Sequence, residues 1–296
     1  MNRTERIALL TLFPILLLAC SVGWAGSQGG TTVGGIPVFA LLVGVAFLVQ
    51  WVVFVVAYLR QTDRYFDITG SITYLSVVGC AAALRPTLSG RSLLLLALVA
   101  VWALRLGTYL FRRVRRAGKD KRFDDIRPSF VRFLSVWTLQ GLWVTLTVGA
   151  ALAAMTSRTD RELGFLAGLG AAVWACGFAV ESVADFQKSR FRANAENQGR
   201  FIQTGVWAWS RHPNYFGEIA VWLGIALIAL PALRGWQYVT LVSPVFVTLL
   251  LTKVSGIPML EKRADAKWGG QEDYEDYKRR TPVLLPRPPR RGGRSM

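Results

Sequence analysis

The sequence predicts an all-α, polytopic integral membrane protein, a helical bundle of about seven or eight transmembrane helices with both termini in the cytoplasm. Three observations carry this. The 296-residue chain is 52% hydrophobic with a mean hydropathy of +0.35, too apolar for an ordinary soluble domain. Its charges fall in clusters between long stretches that contain almost none. The clusters are also lopsided, because alternate connections are densely basic while those between them are nearly neutral, as the positive-inside rule requires.

Hydropathy places the spans at Ala8 to Trp24, Pro37 to Leu59, Ile72 to Leu84, Ser92 to Phe111, Phe133 to Met155, Leu163 to Glu181, Ile219 to Leu230 and Val239 to Val254. The first contains Leu17-Leu18-Ala19-Cys20, similar to a bacterial lipoprotein processing box. Thin flanking charge and the spans that follow make it an anchor helix instead. The third and seventh are short for a hydrocarbon core of about 30 Å, which takes roughly 20 helical residues. They must tilt, borrow flanking residues, or pack without fully crossing.

Arg112, Arg113, Arg115, Arg116, Lys119, Lys121, Arg122, Arg127 and Arg132 crowd one connection, and Lys188, Arg190, Arg192, Arg200 and Arg211 crowd the next on the same side. Both belong in the cytoplasm, with Arg3, Arg6 and the C-terminal end. Residues 1–284 read as one transmembrane domain and 285–296 as a basic, flexible cytoplasmic tail. The formal charge of +17 borders apolar spans, where it fixes topology and meets anionic headgroups. No helix-turn-helix, zinc-finger or aromatic-basic sheet pattern argues for nucleic acid. Cys20, Cys80 and Cys176 lie in spans without metal spacing and read as small buried hydrophobes with no disulfide. No glycine-rich phosphate loop follows a strand, so a cofactor would sit in polar loops and helix ends.

Three polar segments offer such a place. In Glu181 to Asn197, Glu181, Asp185 and Lys188 share one helical face, and an ion-pair ladder at a helix end explains that spacing as well as a ligand does. In Ser210 to Glu218, which holds the chain's one histidine, Pro213 begins a helix whose first amides, with Arg211 and His212, form a diphosphate grip. Polar groups this dense at a membrane boundary mark a site. The third is Lys253 to Lys262 with Tyr274 to Pro282. There Gly256 and Pro258 interrupt the last span, and Tyr277 beside a basic run suits an aromatic base and a phosphate. Positive-inside topology alone would also yield Lys278 to Arg280. His212 stands alone, so no metal site is expected.

Trp102-Ala-Leu-Arg105-Leu-Gly107, Glu181-Ser-Val-Ala-Asp185-Phe-Gln187-Lys188, Gly205-Val-Trp207 through Arg211-His-Pro-Asn-Tyr-Phe-Gly-Glu218, and Ser255-Gly-Ile-Pro-Met-Leu-Glu261 with Tyr274-Glu-Asp-Tyr277 together resemble the bacterial branch of the steroid 5-alpha-reductase-like membrane proteins. The resemblance covers most of the chain from about Asp63 onward. Its Arg-His-Pro core is similar also to that of isoprenylcysteine and phospholipid methyltransferases. The resemblance implies a bacterial inner-membrane oxidoreductase of lipid metabolism with NADPH held from the cytoplasmic side. By motif position, Asp185, Asn194, Arg211, His212, Asn214, Tyr215, Glu218, Glu261 and Tyr277 would line the cofactor, joined by Glu181, Lys188 and Arg280 of the same segments. The implied chemistry is reduction of an activated carbon-carbon double bond in a steroid-like or other lipid enone reached from the bilayer.

That chemistry needs a group that polarises the enone carbonyl in a poorly hydrated cleft. Tyr65, Asp67, Tyr74, Tyr109 and Gln140 are the candidates, the first three from a polar turn at Asp63 to Tyr74 leading into the third span. Aromatic-belt and capping roles explain that turn nearly as well, and the steroid reductases' own catalytic set does not align onto these spans. The runner-up is an S-adenosylmethionine-dependent membrane methyltransferase. A non-enzymatic lipid-binding protein is a third reading, and no transporter signature rises above these. The expected partners are membrane lipids and a hydrophobic small molecule, with no obligate protein partner.

Overall fold

A computed structural model describes residues 2–117, 123–159 and 161–289, with side chains omitted for 113–117. Of the basic cluster, the side chains of Arg113, Arg115 and Arg116 and the residues Lys119, Lys121 and Arg122 therefore lie outside the described part. So do residues 290–296 of the basic tail. The described residues form ten α-helices: α1 (Arg3–Ser27), α2 (Val38–Leu59), α3 (Phe66–Ala83), α4 (Gly90–Ala117), α5 (Phe130–Thr156), α6 (Phe165–Ala193), α7 (Pro213–Ala229), α8 (Val242–Leu249), α9 (Ile257–Trp268) and α10 (Glu272–Arg280). The β component is one tight hairpin, β1 (Thr32–Val33) with β2 (Ile36–Pro37). Eight helical segments are long and apolar enough to cross a membrane, the last running from Gly235 to Trp268 through α8 and α9. The all-α membrane bundle is as the sequence predicts.

The chain divides into two compact units, one of Met1–Gly170 with Ile225–Ser243, the other of Ala171–Gly224 with Pro244–Met296. In the first unit α5 is the core helix, and every residue from Val144 to Ser157 is buried. Its run Gly149-Ala150-Ala151-Leu152-Ala153-Ala154 carries small side chains, which let neighbouring helices approach from several sides where lipid offers no hydrophobic driving force. α1 differs, starting at an Asn2 and Glu5 capping box and turning Leu10, Phe13 and Leu17 outward as an exposed stripe. Arg85 donates to the carbonyls of Met155 (2.9 Å) and Ser157 (2.6 Å), and buried Arg91 donates to Ile228 (2.5 Å) and Glu162 (2.6 Å). The carbonyls of Met155, Ser157 and Ile228 lie at the C-terminal ends of α5 and α7, where a helix leaves carbonyls without an intrahelical partner, and that of Glu162 lies in the connection before α6.

Two expectations are corrected. The segment Asp63 to Tyr74 is a polar turn only as far as Tyr65, since α3 begins at Phe66 and takes in the rest. Thr69 and Thr73 each return a hydroxyl to the carbonyl four residues back, at 2.6 and 2.7 Å, so these two groups are satisfied within the helix as a bilayer demands, while Asp63 accepts from Arg127 at 2.9 Å. Cys20 and Cys176 are exposed at the bundle surface instead of buried. In lipid the outer surface is itself apolar, so hydrophobicity does not distinguish core from periphery.

The second unit is built on a close crossing of α6 and α7. A Cβ at Gly217 would stand 2.6 Å from the Gly177 carbonyl oxygen, so only glycine permits the approach. Past α8 a π turn, Leu250–Val254, closes with a bond from the Ser255 amide to the Leu250 carbonyl at 2.9 Å. α9 then starts afresh after Gly256 with Pro258 in its first turn. Residues Pro282 to Arg287, bent at 283–285, run beside Trp209 to Arg211, tied by Arg211 N–H to the Pro282 carbonyl (2.9 Å) and Arg287 N–H to the Trp209 carbonyl (3.0 Å).

Candidate functional site

α7 begins at Pro213, which leaves Arg211 and His212 on the turn just before it. Ser210 fixes that turn, accepting from the His212 amide at 3.1 Å and donating to the Leu284 carbonyl at 2.9 Å. Glu261, one turn into α9, spans both residues, with Oε2 2.5 Å from Arg211 Nη1 and Oε1 2.7 Å from His212 Nε2. Burial holds the His212 pKa below the usual 6.5, against the opposing pull of Glu261. The ring is therefore neutral at pH 7. A carboxylate only accepts, so Nε2 carries the proton and Nδ1 is a bare acceptor. His212 is then no cation for a phosphate, and the Tyr215 ring stacks on it at 5.7 Å. Arg211 keeps the positive charge, and its buried Nε has no hydrogen-bond partner among the described residues.

These residues face a cavity of about 330 Å³ within the second unit. Six aromatic rings line it (Phe191, Phe201, Trp207, Trp268, Tyr274 and Tyr277), as do six basic side chains (Lys188, Arg192, Arg200, Arg211, Arg263 and Lys267), with Glu261 the single carboxylate. Phe201 is the hub, its centroid 5.8 Å from Trp268, 5.2 Å from Tyr274 and 5.5 Å from Tyr277. Lys188 lies 4.5 Å over the Trp207 ring and Lys267 4.7 Å over Trp268. Tyr277 donates to the Trp207 carbonyl at 2.7 Å and Tyr274 to Asp265 at 3.0 Å. Burial raises both phenol pKa values, and Asp265 adds to the effect on Tyr274. Both stay neutral and present ring faces instead of charge.

Of the sequence-predicted cofactor residues, the fold brings Lys188, Arg211, His212, Glu261 and Tyr277 to this cavity. Glu181 and Asp185 are buried on α6, Glu181 at the glycine crossing where its Cβ would lie 2.8 Å from a Cβ on Gly217. Asn194 caps the turn 195–197, accepting from the Glu196 amide at 3.0 Å. Asn214, Tyr215 and Glu218 lie in the first two turns of α7, outside the cavity lining, and Arg280 lines a separate cleft.

The five polarising candidates all fall in the first unit. Gln140 Nε2 donates to the Phe66 carbonyl at 3.2 Å and its Oε1 is without a hydrogen-bond partner among the described residues. That brings it to the first turn of α3, where Tyr65 and Asp67 sit. Tyr74 lies two turns on and packs edge-on against Trp102 at 5.1 Å. Tyr109 lies on α4 with the Arg105 guanidinium 6.0 Å from its ring centre.

Sequence reasoning missed Phe191, Phe201, Trp268, Arg263 and Lys267 as cavity residues; the spacing of Leu260, Arg263, Ala264 and Lys267 along one face of α9 was the available signal for the last three, and none joins Phe191 and Phe201 to them. It also missed Gln50, fully buried on α2 with Nε2 donating to Thr73 at 2.9 Å. A lone amide inside an apolar span was the available signal. Among the described residues no group of three or more His, Cys, Asp or Glu is placed to hold a metal.

A family model described as "protein of unknown function (DUF1295)" matches residues 53–281, which take in every residue of the aromatic and basic cavity. An uncharacterised protein of Schizosaccharomyces pombe is 26% identical over 207 residues, covering 60% of this chain and 60% of the relative. The match therefore spans less than two thirds of that relative's length. No solved structure matches the chain.

Proposed function

The chain belongs to the DUF1295 family, and for this helical membrane protein we propose NADPH-dependent reduction of an activated carbon-carbon double bond in a steroid-like or other lipid enone. The observation that carries the reading is the cavity of the second unit, where six aromatic faces are interleaved with six cations against one carboxylate. A ligand that suits it is flat, heteroaromatic and polyanionic, because rings stack on the base while guanidinium and ammonium groups take phosphate oxygens. Bound there, NADPH would supply the hydride for the β carbon of the enone. Glu261 holds Arg211 in place for a phosphate, and the unspent Arg211 Nε–H is a further donor. Neutral Tyr274 and Tyr277 add no negative charge to repel the anion.

The methyltransferase reading shares the Arg211-His212 block but fits the cavity less well. S-adenosylmethionine carries a cationic sulfonium and no phosphate, so six basic side chains would meet a single carboxylate as their matching charge. Titration of the detergent-purified protein with NADPH, NADH and S-adenosylmethionine separates the readings. Saturable NADPH binding is expected, weaker for NADH, and reduced roughly tenfold or more by Arg211→Ala or by Arg263→Ala with Lys267→Ala, since each removes charge-assisted hydrogen bonds. Preferential binding of S-adenosylmethionine would overturn the reductase.

A further inference from the structure

A second cleft of about 560 Å³, also within the second unit, is lined by Arg211, Lys278, Arg279, Arg280 and Arg287 and by no carboxylate. It is formed between the last turn of α10 and the strap Pro282 to Arg287. The strap is held by its main chain, since Arg211 and Arg287 use backbone N–H groups and Ser210 donates to the Leu284 carbonyl. Its side chains are therefore free to face a ligand.

The cations keep most of their donors. Arg279 and Arg280 share Asp276, at 3.1 and 3.4 Å, and Arg280 also donates to Gln203 at 2.7 Å, but their side chains are 74% and 52% exposed, so both guanidiniums still turn N–H groups to solvent. Lys278 is neutralised by Asp265 and Glu275 at 3.0 and 3.1 Å. Arg287 has no ion-pair partner among the described residues. On the same two segments Trp209, Val283 and Leu285 are exposed, Leu285 most of all at 62%. Arginines with spare donors beside an exposed tryptophan and leucine, in a chain with membrane-crossing helices, match the chemistry of the headgroup layer.

We propose that this cleft, which shares only Arg211 with the aromatic cavity, is an anion site for a phosphate ester, and that the ester is the headgroup of an anionic phospholipid. The phosphate lies among Arg279, Arg280 and Arg287, with the lipid's apolar part toward Trp209 and Leu285. The proposal stands whether or not the aromatic cavity binds a nucleotide.

Native mass spectrometry of the full-length detergent-purified protein tests it, with phosphatidylglycerol, phosphatidylcholine and inorganic phosphate as probes. Wild type is expected to retain phosphatidylglycerol over phosphatidylcholine. Arg279→Gln with Arg287→Gln should weaken that retention roughly twentyfold, from the attraction of two cations to an anionic headgroup. Arg279→Lys with Arg287→Lys should restore most of it, with monodisperse elution and unchanged thermal unfolding showing that both variants fold. Displacement of the lipid by millimolar inorganic phosphate would support the anion site with a soluble phosphate as its source, whereas resistance to phosphate supports the headgroup. Equal retention of phosphatidylcholine, or undiminished phosphatidylglycerol binding in the glutamine variant, overturns the proposal.

Discussion

Glu261 carries the most consequence of any single residue, because one carboxylate fixes both Arg211 and His212. Glu261→Ala leaves a partly buried guanidinium without its counter-charge. It should cost about 1–3 kcal/mol, read as a fall in the thermal midpoint, and weaken NADPH binding because Arg211 is no longer held. His212 supplies a pH test with a definite sign. Its pKa in the fold lies below the unfolded value of 6.5, so the unfolded chain takes up a proton first as pH falls. The contribution is complete above about pH 6.5 and is lost as pH drops through the lowered pKa. Thermal midpoints between pH 7 and 5 should fall more steeply for wild type than for His212→Gln, and equal slopes would remove the effect from His212. Truncating whichever of Tyr65, Asp67, Tyr74, Tyr109 and Gln140 polarises the substrate should lower kcat and leave NADPH affinity unchanged. At this scale the sequence was legible where residues are neighbours, as at Arg211-His212-Pro213. The side chain of Asn194 caps a turn, and the sequence was silent on the contact between Phe201 and Trp268, which meet only after α9 and the 198–204 connection fold together.

Among the elements, the α6 and α7 crossing holds the second unit's geometry. Gly217→Ala places a methyl 2.6 Å from a backbone oxygen, and backbone cannot yield as a flexible side chain would. A cost of about 1–3 kcal/mol is expected, with weaker NADPH binding, because α7 carries His212 at its start while α6 carries Lys188. Retained stability and affinity in this variant would show that the crossing is looser than it stands. Helix existence was readable from hydropathy, and eight spans emerge as counted. The ends were less so, because a polar residue such as Asp67 in α3 looks like loop while its backbone continues the helix. The bilayer's demand for satisfied amides reaches past the apolar stretch that hydropathy detects.

For the molecule as a whole, eight crossings return the chain to the side on which it began. Reporter fusions at the two ends should both read as cytoplasmic, and fusions in the connections after α3 and α5 as external. An opposite result at either pair would invert the orientation inferred from the basic connections. Burial adds what hydropathy could not, since 83% of the apolar window of α5 is buried against 17% of that of α1, although both read simply as spans. The aromatic and basic cavity belongs wholly to the second unit, and Tyr65, Asp67, Tyr74, Tyr109 and Gln140 wholly to the first. The π turn at Leu250–Val254 bears on how the chain's length can drift over generations. A π turn holds one residue more than the α-helix it interrupts, so a one-codon deletion there can be absorbed by tightening the turn, with Glu261 still facing Arg211. The same deletion between Ile257 and Leu260 would swing Glu261 by about 100° and release both of its partners.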